Sequence, residues 1–298
     1  MTFTDNKLVK SITYDISIII PSYNSEKTIS SCLSSVLKQK TNLNYEVILV
    51  DSSTDKTPQI VKSNFPLVKL IHFKKKTYAG KARNIGVKTA KSSIVVCLDS
   101  DCFVTSDNWL NKIYEAHKKH DIIGSRVGNG NPKNLFGWGI FLMEFCEWIT
   151  KKDKNMKMLL SYNISYKRRI FQKYGYFPES SFLNEELMFH SKLKEPLFFS
   201  SKIEVKHINR TNFYTIVRHC FKLGFGGGMA RKQMPTLPGS FLVKYPILII
   251  LLPFARLFLS GMRAFQANYF LIFLLVSPLV FINSVSYSIG FLVSAIKK

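Results

Sequence analysis

The sequence is short of negative charge. Nineteen Asp and Glu stand against 42 Lys and Arg, a formal net charge of +23. That balance suits an anionic partner, whether nucleic acid, an anionic lipid surface or a phosphorylated substrate, although a generally basic, solvated surface gives the same count. Cysteine is scarce too. The five are odd in number and none is spaced C-x-x-C, which excludes a disulfide framework and a zinc site and points to free thiols in a reducing compartment. Residues 1–15, MTFTDNKLVKSITYD, hold no apolar run, so no secretory leader is expected there. No internal repeat is evident, no low-complexity tract exists beyond Gly226-Gly227-Gly228, and no serine has a Ser-His-Asp setting.

Apolar residues are plentiful. At 46% hydrophobic and 13% aromatic, the chain can bury a large core, and global disorder is excluded. The 298 residues allow one large domain or a domain with appendages. Residues 15–21, DISIIIP, read as a buried strand. Ile29, Leu33, Val36 and Leu37 then recur at helical spacing, with Asn24 or Ser25 available as a cap. YEVILV, LVKLIHF and SSIVVCLDSD read as further strands, separated by helices in STDKTPQIVKSNF and GKARNIGVKTA. This βα repeat predicts an α/β fold with a mostly parallel sheet and helices on both faces. Ligands of such sheets bind beyond the carboxyl ends of the strands. Three polar clusters fall there: Pro21-Ser22-Tyr23-Asn24, Asp51 to Asp55, and Asp99-Ser100-Asp101.

Farther along, 108–120 reads as helix, Gly/Asn-rich 124–137 as loop, and 138–150 as an aromatic helix or strand. A helix begins at Glu185, and FFSSKIEVKHI alternates as a strand. The basic, aromatic stretch 212–234 suits a helix on an anionic membrane surface, or an amphipathic helix packed on the domain. Two apolar segments follow. Tyr245 to Met262 carries Arg256 and two prolines, so it spans with a snorkelling Arg256 or lies at the interface; Tyr269 to Ile296 is uncharged and long enough to span. Lysine and arginine concentrate before the first segment, and Lys297-Lys298 follow the second. That pattern predicts a hairpin through the bilayer with both ends, and the domain ahead of it, on the cytoplasmic side. The expected organisation is a tail over 1–14, a domain over 15–210, a basic interfacial segment over 211–240 and a membrane segment over 241–298.

Asp99 and Asp101 are the chemical puzzle of this basic chain. Side chains at i and i+2 share a strand face. Two close carboxylates repel, and a divalent cation relieves the cost, with hard oxygen ligands favouring Mg²⁺ or Mn²⁺. Asp and Ser are also ordinary turn residues, so the motif acquires weight only from its place at a strand end.

SIIIPSYN, EVILVDSSTD, AGKARNIG, CLDSDC and NEEL, in that order, resemble the family 2 glycosyltransferases of the GT-A fold over roughly residues 15–210. The resemblance implies roles for individual residues. Pro21, Tyr23 and Asn24 would border the nucleotide base, and Asp51 would hold it. Arg83 and Asn84 would serve the donor, with Arg83 offsetting diphosphate charge or bracing the D-x-D loop. Asp99 and Asp101 would hold metal and diphosphate, Glu186 would be the general base, and His207 would lie near the diphosphate. Two positions depart from the family's V-D-D-G-S pattern: Ser52 and Ser53 replace Asp and Gly, which loosens the inference about the nucleotide, a UDP-sugar being the first choice.

The implied enzyme is an inverting, metal-dependent transferase acting on a glycan or lipid-linked acceptor at a membrane, with no nucleic acid involved. A polyprenyl-phosphate sugar synthase is the nearest alternative, although its anionic acceptor needs little base catalysis and leaves NEEL without a task. A non-catalytic, basic membrane-surface protein is a third reading. A nucleotidyltransferase would carry a Gly-rich basic loop after the first strand, where this chain has PSYNSEK.

Overall fold

The computed structural model describes residues 13–179 and 184–297. Most of the expected N-terminal tail, and Lys298, lie outside them. The first half alternates as the hydrophobic pattern requires: β1 (Ile16–Ser22), α1 (Ile29–Leu37), β2 (Tyr45–Asp51), α2 (Thr57–Asn64), β3 (Lys69–His72), α3 (Ala79–Thr89) and β4 (Ile94–Leu98). β1, β2 and β4 are apolar on both faces because helices cover both, so their residues are almost all buried. The order β3-β2-β1-β4 is parallel throughout, and Ser22 pairs with Asp51, bringing two of the polar strand ends side by side.

Neither expected cap starts α1. Asn24 has a positive φ of 54°, and its Oδ1 accepts from the Thr54 amide at 2.9 Å. Ser25 Oγ is 2.8 Å from Ser100 Oγ. Both side chains tie strand-end loops together, leaving the helix to begin after Thr28 without a side-chain cap.

The second half corrects the expectation of a mostly parallel sheet. After β5 (Cys102–Val104) and α4 (Trp109–His117) come β6 (Ile122–Asn129), α5 (Leu135–Phe145), β7 (Lys154–Met156), β8 (Asn163–Lys167), α6 (Arg169–Tyr174), α7 (Glu185–His190) and β9 (Leu197–His207). The sheet continues β4-β8-β6-β9-β5, with β4/β8, β6/β8, β5/β9 and β7/β9 antiparallel and only β6/β9 parallel. β8 docks beside β4 after a long excursion, so nothing in the local period announces its direction. The stretch 124–129, read as loop for its Gly and Asn content, is instead a central strand. A Cβ at Gly124 would collide with the Leu159 side chain, so the glycine is there for close packing.

The C-terminal part is α8 (Phe213–Gln233), α9 (Phe241–Lys244), α10 (Leu252–Gln266) and α11 (Phe270–Ile296). α8 does not lie alone on a surface. The Val217 carbonyl accepts from Ser286 Oγ at 2.7 Å, Gly224 abuts Tyr287, Gly228 abuts Ser294, and Lys232 bonds the Lys297 carbonyl. Contacts advance together along both helices, so α8 and α11 run parallel. A Cβ at Gly224 would strike the Tyr287 carbonyl, and one at Gly290 the Phe221 carbonyl. These glycines permit backbone-to-backbone approach.

Pro246–Gln266 and Phe270–Ile296 are both long and apolar enough to cross a membrane. Their connecting turn stays beside the α/β body. Tyr269 meets Trp138 edge-on at 5.1 Å, Arg263 pairs with Glu147 at 3.1 Å, and Ala264 and Ala267 are buried. The outward faces are strongly apolar, with Phe258 71% and Leu271 82% exposed.

Candidate active site

Two joined recesses open at the carboxyl ends of β1 and β4. One, of about 180 Å³, is lined by Pro21, Ser22, Tyr23, Thr77, Arg83, Asp99, Ser100 and Asp101. The other, of about 470 Å³, shares Arg83, Asp99 and Asp101 and extends past Glu185, Glu186, His207, Glu144 and His219 to Arg256 and Tyr287 on the apolar helices. Tyr23 is exposed, with Lys76 Nζ 4.4 Å from its ring centroid. An aromatic face beside a cation is a suitable surface for a planar, anionic ligand.

Arg83 is the hub. Sitting on α3, it is 2% exposed; Nη2 donates to Asp99 Oδ1 at 2.6 Å, and Nη1 donates to Glu185 Oε1. Burial alone would lower its pKa, but Asp99 and Glu185 together outweigh that and hold the guanidinium protonated. The D-x-D loop leaves β4, and Cys102 N closes it on the Asp99 carbonyl at 3.0 Å. His207, at the end of β9, pairs in register with Cys102, which puts His207 Nε2 3.4 Å from Asp101 Oδ1. Desolvation works against the charge on each, yet their mutual attraction prevails: Asp101 falls to about 2 and His207 rises to about 9.

Asp99, Asp101 and His207 therefore face one cavity, and both carboxylates are about one-third exposed. Asp101 and His207 bring an oxygen and an imidazole donor within 4.8 Å of each other, with Asp99 on the same cavity but outside that spacing, and oxygen with imidazole suits a small divalent cation. Cys102 Sγ lies within 4.8 Å of the Asp101 and His207 donors. Burial pushes its thiol far up, so it is a packed neutral group and a poor ligand.

Glu186, at the start of α7, is 9% exposed and faces the same cavity. Burial first, then the Glu185 charge, raises its carboxyl to about 8, with Arg83 opposing. A carboxyl that titrates near moderate pH in a cavity is a group suited to proton transfer.

Three of the expected residues do not line the recesses. Asn84 spends its amide on the loop before α7, donating to the Phe177 carbonyl at 2.9 Å and accepting from Phe177 N at 3.0 Å. Asp51 is fully buried, with its oxygens taken by Ser53 Oγ at 2.5 Å and His72 Nδ1 at 2.7 Å. Asn24 joins the loops, as described above. All three side chains are engaged by neighbouring loops and strands.

Sequence reading missed His72, the Glu144–His219 pair at 3.3 Å, and Arg256 as a cavity residue. His72 was detectable, since the parallel register sets it opposite Asp51. The other two depend on helices that meet only in three dimensions.

Comparison with known proteins gives a consistent picture. The model of "Glycosyl transferase family 2" matches residues 17–175, more than half of the chain. Glycosyltransferase GlyG of Streptococcus pneumoniae is 30% identical over 138 residues, 44% of this chain and 45% of that protein. Poly(ribitol-phosphate) beta-N-acetylglucosaminyltransferase TarS of Staphylococcus aureus is 26% identical over 229 residues, 68% of this chain and 39% of that one. The chain thus spans less than half the length of these curated relatives. Among solved structures, the mannosyltransferase PcManGT of Pyrobaculum calidifontis with GDP-Man and Mn²⁺ superposes with a TM-score of 0.60 at 16% identity, covering 95% of this chain and 88% of that one. S. aureus TarS with UDP-GlcNAc gives 0.54 at 19% identity, covering 86% of this chain and 89% of that one. These likenesses carry the fold, which is GT-A.

Proposed function

The chain belongs to glycosyl transferase family 2, and on that footing we propose that it is a membrane-anchored, inverting glycosyltransferase. It moves a sugar from a nucleoside-diphosphate donor, a UDP-sugar first, to a hydroxyl of a glycan or lipid-linked acceptor. One observation carries the reading: Asp99, Asp101, Arg83, Glu186 and His207, far apart in sequence, face a single cavity at the strand ends.

Each side chain has a task in this reading. Tyr23 and Pro21 border the donor's base. Arg83 fixes Asp99 through one carboxylate oxygen and leaves the other free. Asp99, Asp101 and His207 are the groups that would hold Mg²⁺ or Mn²⁺, which supplies a Lewis acid against the charge developing on the leaving diphosphate. Glu186 accepts the proton of the attacking hydroxyl, so the oxygen gains nucleophilicity as it meets the anomeric carbon from the face opposite the leaving group. One such displacement inverts the configuration. Asn84, Asp51 and Asn24 set the loops that position these groups. α10 and α11 supply the anchor by lying along the membrane surface with their turn against the α/β body, and the basic residues ahead of them suit the anionic cytoplasmic leaflet, which supports a cytoplasm-facing catalytic domain.

The test is a screen of nucleotide sugars against membranes containing the full chain, with Mn²⁺, with Mg²⁺ and with chelator. Release of a nucleoside diphosphate that chelation abolishes and Asp101→Asn removes is the expected result. No turnover of any donor with either ion would refute the proposal.

A further inference from the structure

Arg256 is out of keeping with its surroundings. It lies in α10, where Phe254 and Phe258 are 60% and 71% exposed and share a face. Two residues from Phe254 is about 200° around a helix, so Arg256 points to the opposite side. Ser260, one turn on, shows where that side faces: its Oγ donates to the Leu142 carbonyl at 2.9 Å. Arg256 therefore does not snorkel toward water. It lines the cavity that holds Asp99, Asp101 and Glu186.

Its charge has no acidic partner among the described residues. The nearby carboxylates are already matched, Glu144 with His219 at 3.3 Å and Glu147 with Arg263 at 3.1 Å. Arg256 Nε is buried without a hydrogen-bond acceptor, and the guanidinium carbon sits 3.9 Å from the Tyr287 ring centroid. Leaving a buried guanidinium donor unmatched is costly, and a ring face offsets only part of that cost. The fork geometry suits a phosphate. Arg231, on the same cavity, is spent on the Pro238 and Gly227 carbonyls at 2.8 and 2.9 Å. On the other side of α10, Pro246, Ile250, Phe254, Ile289 and Leu292 line an almost wholly apolar groove of about 510 Å³, a surface for lipid chains.

We propose that Arg256 binds the phosphate through which a lipid carries the acceptor sugar into the catalytic cavity. The identity of what the phosphate carries rests on the glycosyl-transfer reading above; the phosphate site does not. The test uses the full chain in detergent micelles, with farnesyl phosphate, farnesol and inorganic phosphate as probes and binding measured by calorimetry. Farnesyl phosphate is expected to bind at least about tenfold more tightly than farnesol or inorganic phosphate. Arg256→Gln should remove that advantage and Arg256→Lys should retain part of it. Equal affinity of wild type and Arg256→Gln for farnesyl phosphate would overturn the proposal. So would inorganic phosphate binding as tightly as the lipid, which would mark a free-anion site. Because the readout is binding, a protein that holds farnesyl phosphate through Arg256 yet turns over no nucleotide sugar sinks the glycosyl-transfer reading and leaves this one standing.

Discussion

Replacing Glu186 by Gln separates base catalysis from everything else this cavity does. The amide keeps the size and one acceptor oxygen but cannot take a proton. Positioned general bases contribute about 10²- to 10⁴-fold, so kcat should fall by that range while donor affinity changes little. The wild-type pH profile supplies the second half of the test. With the carboxyl raised to about 8 by burial and Glu185, only the ionised minority works at neutral pH. That minority is about one-tenth at pH 7, so kcat should climb about tenfold per unit below 8 and level off above it. The sign for stability is opposite. The folded chain binds this proton more tightly than the unfolded chain, whose value is 4.5, so the stabilising contribution is complete below 4.5 and is lost as pH rises through about 8. The assay is steady-state release of nucleoside diphosphate from pH 6 to 9 with acceptor present. A flat profile, or a Gln variant within tenfold of wild type, would refute the assignment and favour an acceptor that is already an anion, such as a lipid phosphate.

Arg83→Met should strand the buried Glu185 carboxylate and leave the partly exposed Asp99 unpaired, at a cost of about 3–5 kcal/mol that comes mainly from Glu185, read as a lowered denaturant midpoint; a shift below about 1 kcal/mol would mean that Glu185 simply protonates or finds water. Gly224→Val should force α8 off α11 and cost about 1–3 kcal/mol, seen as faster proteolysis of the C-terminal helices; unchanged proteolysis would refute the close backbone approach. Because the turn after α10 packs on Trp138 and Glu147, cysteines at Asn268 and Lys297 should react with an impermeant maleimide from the same side of sealed vesicles. Labelling from opposite sides would mean the hairpin swings away from the catalytic body and crosses the bilayer.

The first four strands, the polar clusters at their ends and the apolar C-terminal helices could all be read from the chain, because each follows from a local rule. Buried parallel strands must be apolar on both faces, turn residues must follow them, and a segment of membrane length must shed charge. What remained hidden is what distance in sequence conceals. Arg83 meets Glu185 across 102 residues, and no periodicity records that pairing. Residues 124–129 looked like a loop for their Gly and Asn content, whereas Gly124 is there for a neighbour, Leu159, that lies elsewhere in the sequence. Arg256 in an apolar helix is written identically whether it reaches out to headgroups or in toward a cavity. Only the packing of α10 on α5 and α11 turned it inward, since helix periodicity sets which residues share a face and tertiary contact alone decides what that face meets.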